Sequence, residues 1–170
     1  GTGLGDHSTT PHTVTATGDV NHATAGAKSG FWDSSVKFDG TSDKLVITEN
    51  MSDFTFASDP FTIEFWFYRD AVSGASNYSY LFDWRTTGDP YVPVMYMDGN
   101  TLLYYYSAGN THITSSGLDL DTWYHVAVVR DSSDITTLYV NGKSHGTWTD
   151  SNAFVASTAI TIGDYYNASY

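Results

Sequence analysis

Apolar and polar residues alternate with a period of two along most of the chain, and the densest such stretch runs from Trp123 to Lys143. From Trp123 to Arg130 the residues divide into Trp123, His125, Ala127 and Val129 on one face and Tyr124, Val126, Val128 and Arg130 on the other. Both faces are largely apolar, so the pattern predicts a central strand covered on both sides. The polar turn Asp131 to Asp134 leads into a second strand, Ile135 to Val140, in which Leu138 and Val140 share a face and Tyr139 takes the other. Asn141-Gly142 closes it, because both residues tolerate the positive φ of a type I′ hairpin turn. His145 to Thr149 supplies the returning strand.

A second anchor lies at Phe61 to Tyr68, just after Pro60. There Phe61, Ile63, Phe65 and Phe67 form an apolar row, and Thr62, Glu64, Trp66 and Tyr68 form an amphipathic one. Shorter strands are predicted at His12 to Thr17, Ser35 to Phe38, Lys44 to Thr48, Tyr80 to Trp84, Tyr91 to Met97, Leu102 to Ser107, His112 to Ser115 and Ile160 to Ile162. Gly, Asn and Asp turns separate them, and no amphipathic helix of useful length is visible. Many short strands at such spacing predict an all-β sandwich or barrel. Gly1 to Pro11 is small and polar and reads as an N-terminal arm or loop, with one domain over residues 12–170. Phe31-Trp32 is expected to tuck under the rim of the sandwich.

Four motifs carry a family resemblance: F-D-G at Phe38 to Gly40, F-T-I-E-F-W at Phe61 to Trp66, W-Y-H-V-A-V-V-R-D at Trp123 to Asp131 and L-Y-V-N-G at Leu138 to Gly142. In that order they resemble the laminin-G-like (LamG) domain of the concanavalin A-like lectin/glucanase jelly-roll superfamily, over roughly Ser35 to Gly163. The resemblance implies a two-sheet antiparallel jelly roll. It leaves function open among lectins, glycan-binding modules, adhesion domains, virion appendages and glycosidases. The ends depart from the family pattern, which usually has a strand before the position of His12 and a motif like I-D-E-x-R-I after Gly163. Incomplete terminal strands would expose a sheet edge, which is expected to be covered by the Gly1 to Pro11 arm or by a neighbouring subunit through strand addition.

Composition narrows the partners. The 170 residues suffice for a two-layer core, and the absence of cysteine removes disulfides, thiolate metal sites and a Cys nucleophile together. A net charge of -12 with seven scattered Lys and Arg argues against nucleic acid and anionic membrane surfaces. No apolar run approaches the roughly 20 residues needed to span a bilayer. A first residue of Gly is expected of a processed product, an expression fragment or part of something longer. An extracellular, cell-surface or virion location fits these features. Most acidic residues are Asp beside Gly, Ser, Thr or Asn, the pattern expected where carboxylates bind neighbouring backbone in turns.

A glycosidase needs two carboxyls facing each other across a cleft. The related hydrolases carry an E-x-D-x-E type strand that is missing here, and Glu64 is a lone carboxylate on a strand whose same-face neighbours include Trp66 and Tyr68. His125 has no Ser or Cys partner and reads as a hydrogen-bonded structural residue. His7, His12, His22, His112 and His145 show no metal-ligand spacing. The expectation is a non-enzymatic recognition or adhesion module.

Carbohydrate is the expected ligand, because sugar CH faces pack on aromatic rings while polar groups take the hydroxyls. The candidate residues are Trp66, Tyr68, Trp84, Tyr104, Tyr106, Trp148 and Tyr165, with core packing as the competing role for each ring. The resemblance also suggests Ca²⁺ in the loop Asp39 to Asp43, where Asp39 and Asp43 flank a Gly-containing turn. The competing class is a structural subunit of a surface filament or phage appendage, self-assembled through an exposed sheet edge, its tyrosines serving as subunit contacts.

Overall fold

The structure is a computed structural model and describes residues 4–24, 33–70, 78–85, 92–106, 111–149, 151–154 and 158–165, with the backbone alone at 103, 105, 106, 111 and 112. The described strands are β1 (Val14–Thr17), β2 (Asn21–Ala23), β3 (Ser35–Lys37), β4 (Lys44–Ile47), β5 (Phe61–Tyr68), β6 (Tyr78–Asp83), β7 (Pro93–Asp98), β8 (Thr101–Tyr106), β9 (Thr111–Ser115), β10 (Trp123–Arg130), β11 (Ile135–Val140), β12 (Lys143–Thr149) and β13 (Ile160–Ile162). A 3₁₀ turn at Met51–Phe54 is the one described helical element. This turn and the short strand β2 are absent from the alternation pattern, being too brief to leave a periodic signal.

Two antiparallel sheets carry the sandwich, one of seven strands in the order β1-β4-β13-β6-β7-β8-β9 and one of four in the order β12-β11-β10-β5. A separate ribbon pairs β2 with β3. The jelly-roll architecture expected from the motifs is what the chain adopts. In the four-stranded sheet β10 is the hub: Trp123 to Arg130 pair with Tyr68 to Phe61 on one side, and Val126 to Arg130 pair with Val140 to Thr136 on the other. Asn141 and Gly142 take φ of 49° and 76°, the left-handed pair that a type I′ turn requires.

The facing rows of the two sheets make the core. Phe61, Phe67, Val126, Val128, Leu138 and Val140 from one sheet meet Phe82, Met95, Met97, Leu102, Tyr104, Ile113 and Ile160 from the other. Burial of such rows is the main favourable term in folding, at about 25 cal/mol per Å² of apolar surface. One end of the sandwich is an aromatic cluster: Trp84 lies 5.7 Å from Phe54 and 5.4 Å from Phe154 between ring centroids, and Phe61 lies 5.1 Å from Phe154.

One expectation fails at β10. Trp123, His125 and Val129 are only half-buried, and Ala127 alone of that row is buried. The N-terminal arm also behaves differently from the expected edge cover. Among the described residues nothing pairs with the outer edge of β1. Instead Asp6 accepts hydrogen bonds from the backbone N–H groups of Ser8 and His12, and its Oδ2 lies 3.0 Å from His12 Nδ1. The His12 ring sits 4.8 Å from Phe54, with Nε2 3.3 Å from Asp53 Oδ2, so the arm docks on the 3₁₀ turn. Phe31-Trp32 lies outside the described residues, as does Tyr91 of the predicted strand start.

Candidate functional site

The predicted aromatic residues scatter to three places. Trp84 and Tyr104 are 6% and 1% exposed and belong to the core, so neither offers a ring face to a ligand. Trp148 is half-buried and packs against the same core from β12, where it stands opposite Thr136 on the inward row. For these three, packing is the role that the fold assigns. The Tyr106 side chain lies outside the described residues. Tyr165 reaches the outer face of the seven-stranded sheet, and Trp66 and Tyr68 stand on the outer face of the four-stranded one.

The first of these faces is a tyrosine patch. Tyr78 and Tyr80 on β6 alternate onto the outer face, and Tyr96 on β7 pairs directly with Tyr80. A register shift between Tyr80 and Phe82 returns Phe82 to the core and lets Asp83 face outward again opposite Val94. Tyr96 lies 5.5 Å from Tyr78 in an edge-on contact and 5.2 Å from Tyr80, and Tyr165 lies 5.2 Å from Tyr80. Tyr78 is 45% exposed.

Arg85 locks this patch. Its Nε donates to both oxygens of the Asp83 carboxylate, at 2.9 and 3.2 Å, and one terminal nitrogen donates to Oδ2 at 2.6 Å. The guanidinium carbon lies 4.9 Å from the centre of the Tyr165 ring and 5.8 Å from that of Tyr80, within cation–π range. Burial disfavours the Arg85 charge, but the bonds to Asp83 outweigh that and hold its pKa above the ordinary value. Burial likewise raises the Tyr80 hydroxyl, with Arg85 opposing, so Tyr80 remains a neutral donor and acceptor at physiological pH. The result is a surface of edge-on and tilted rings that carry hydroxyls. Tyr78, Tyr80, Tyr96 and Arg85 were missed in the sequence. Alternation alone would have put Tyr78 and Tyr80 on one face, but their meeting with Tyr96 and Tyr165 depends on register and on the bulge.

The second face centres on β5 and β10. Trp66 pairs with His125 and Tyr68 with Trp123, with ring centroids 5.1 and 5.5 Å apart. Glu64 Oε2 lies 3.3 Å from His125 Nε2. The Tyr68 hydroxyl donates to Asp121 Oδ1 at 3.1 Å, a bond that raises its pKa, with desolvation adding to the shift. Glu64 therefore faces a histidine from the neighbouring strand, and the His125 side chain is 27% exposed.

In the Asp39 to Asp43 loop the carboxylates serve neighbouring backbone amides. Asp43 is 4% exposed, and its two oxygens accept the backbone N–H groups of Asp19 at 2.6 Å and Asp39 at 2.8 Å. Asp39 Oδ1 accepts the N–H of Thr41 at 2.6 Å. Both carboxylates are turned toward amides, and among the described residues no group of three or more His, Asp or Glu side chains could hold a metal ion. No described helix is long and apolar enough to cross a membrane.

Fold and faces together define a concanavalin A-like sandwich with two open aromatic surfaces. Residues 39–170 match the laminin G 3 family of the concanavalin A-like lectin/glucanases superfamily, and the chain belongs to that family. No curated protein matches it in sequence. Its fold is similar to the binding domain of botulinum neurotoxin serotype D, with a TM-score of 0.72 at 13% identity over 98% of this chain and 42% of that one. The receptor-binding domain of the neurotoxin C/D mosaic gives 0.75 at 14% identity over 95% of this chain and 40% of that one. The binding domain of neurotoxin DC in complex with SialylT gives 0.65 at 17% identity over 95% and 40%. The chain thus spans about two fifths of the length of these neighbours.

Proposed function

We propose that this domain is a non-catalytic, lectin-like recognition module of an extracellular, cell-surface or virion protein, and that it binds a saccharide on the tyrosine patch of the seven-stranded sheet. The observation that carries this reading is the Tyr78, Tyr80, Tyr96 and Tyr165 cluster held around the Arg85–Asp83 pair. Rings fixed before binding lose little entropy when a sugar CH face stacks on them, and their hydroxyls are placed to exchange hydrogen bonds with the ligand. Membership of a superfamily that includes lectins supports the reading, as does the SialylT complex of a structural neighbour.

The test is a glycan array followed by calorimetry with the best ligand on Tyr78→Ala and Tyr96→Ala. Binding should weaken at least about tenfold in each variant, with little change in melting temperature for the exposed Tyr78. Failure of every glycan to bind, or binding indifferent to both variants, would sink it.

A second reading, assembly into a filament or appendage, rests on the outer edge of β1, which has no strand partner among the described residues. Light scattering separates the two: open-ended polymers support assembly, and a stable monomer removes it.

A further inference from the structure

Charge is unevenly balanced along the tyrosine face. On β7 the inward row holds Met95 and Met97, both fully buried, so Tyr96 and Asp98 share the outward row. Asp98 stands directly opposite Tyr78 in the β6–β7 ladder, as Tyr96 stands opposite Tyr80. Thr101 on β8 flanks Asp98 from the other side. The carboxylate is thus at one end of the ring row, beside Tyr78, the most exposed of its rings.

The charges at the other end of the face are paired. Arg85 covers Asp83 at the far end of β6, and Lys44 Nζ lies 3.9 Å from Asp164 Oδ2. Asp98 is exposed, and among the described residues no hydrogen bond or ion pair engages it. β6, β7 and β8 contain no Lys or Arg. An exposed carboxylate in that position keeps the acceptor sites of both oxygens for a ligand.

Register decides what those sites can reach. Directly opposite residues of an antiparallel pair have Cβ atoms about 4.5–5.5 Å apart. A pyranose stacked on the Tyr78 ring projects its hydroxyls sideways, and those on the Asp98 side come within hydrogen-bonding reach of the carboxylate. Bonds from O–H donors to a carboxylate are short and about twice as strong as neutral ones. A sugar with a carboxylate of its own meets like charge instead, and the Arg85 guanidinium that would offset it is already engaged by Asp83.

We infer that Asp98 sets the specificity of the tyrosine patch: it accepts hydroxyl hydrogen bonds from a neutral saccharide stacked on Tyr78 and turns away acidic ones, those bearing sialic or uronic acid carboxylates. The inference rests on the reading of the patch as a saccharide platform and adds to it the class of sugar and the residue that selects it.

The test is a glycan array of matched pairs, each neutral oligosaccharide beside its sialylated or uronate-bearing counterpart, followed by calorimetry on the strongest neutral member and its acidic partner. The parent should bind the acidic partner at least about fivefold more weakly at low salt, a gap that narrows as salt screens the repulsion. Asp98→Ala should weaken the neutral ligand about tenfold. Asp98→Asn keeps an acceptor and removes the charge, so it should weaken the neutral ligand less and bring the acidic partner level with it. Asp98 is exposed and precedes a turn, so both variants should fold as the parent does. Acidic members bound as well as neutral ones by the parent, discrimination unchanged in Asp98→Asn, or a neutral ligand lost in Tyr78→Ala yet indifferent to Asp98→Ala would each overturn this inference and leave the patch a sugar platform. An array with no binding at all would overturn both.

Discussion

The Asp83 carboxylate is wholly buried, and the guanidinium of Arg85, two residues further on, closes over it at 2.6 Å. A buried carboxylate stripped of its partner keeps the whole desolvation cost. Arg85→Ala should therefore destabilise the domain by about 3 kcal/mol, the low end for breaking a buried pair because the arginine side is partly open. Adding Asp83→Asn to that variant should recover part of the loss. Urea unfolding of the two single variants and the double variant measures the coupling, and simple additivity would show that the pair contributes nothing specific.

Rings in the core and rings on the patch should separate by stability. Trp84→Ala and Tyr104→Ala each remove a buried aromatic and should cost about 3–5 kcal/mol. Tyr78→Ala, at an exposed position, should stay within about 1 kcal/mol of the parent. Denaturant midpoints check this directly.

Those contrasts mark the boundary of what the chain reveals about itself. Period-two alternation locates β5, β10 and β11 to the residue, since each carries a largely apolar row bounded by clear turn residues. Alternation gives faces but not neighbours. Trp84 and Tyr104 looked like candidate platforms because nothing local distinguishes a ring pointing inward from one pointing outward on a short strand. Tyr96 was passed over because its value comes from pairing with Tyr80, and that register is set by a bulge at Leu81. The two open faces are likewise products of long-range pairing. Turn chemistry, by contrast, was legible: Asp131 Oδ1 accepts the N–H groups of Ser133 and Ile135, the local role expected of Asp in such a loop.

Gly18 and Asp43 form a structural joint. Gly18 has φ +76°, and a Cβ there would stand 2.2 Å from Asp43 Oδ1, the oxygen that accepts the N–H of Asp19. Gly18→Ala should cost about 2–3 kcal/mol from the left-handed backbone and the displaced carboxylate together. Asp43→Ala should be similarly damaging, since it strands two backbone donors. Thermal unfolding of both variants tests the claim.

Calcium should do little. With the oxygens of Asp43 engaged by Asp19 and Asp39, Ca²⁺ is expected to give no titration heat and no rise in melting temperature. A saturable heat lost in Asp39→Asn would reverse that expectation and restore the loop as a cation site.

The N-terminal arm should respond to acid. Hydrogen bonds from the His12 backbone N–H, then from that of Ser8, with the His12 side chain adding, hold the Asp6 carboxyl well below its ordinary value. A depressed carboxyl pKa contributes stability that is fully present above the unfolded value of about 3.9 and is lost as pH falls through the lower folded value. Amide protection at His12 and in the 3₁₀ turn, with the intrinsic pH dependence of exchange divided out, should fall below about pH 4. Asp6→Asn should show fast exchange already at neutral pH, with the acid dependence flattened.

The two aromatic surfaces lie on the outward sides of opposed sheets, and the inner layers of such sheets are only about 10 Å apart. A side chain on one face therefore cannot reach across to the other. Anything held on one face would stand back to back with anything held on the other, at a spacing fixed by the thickness of the core.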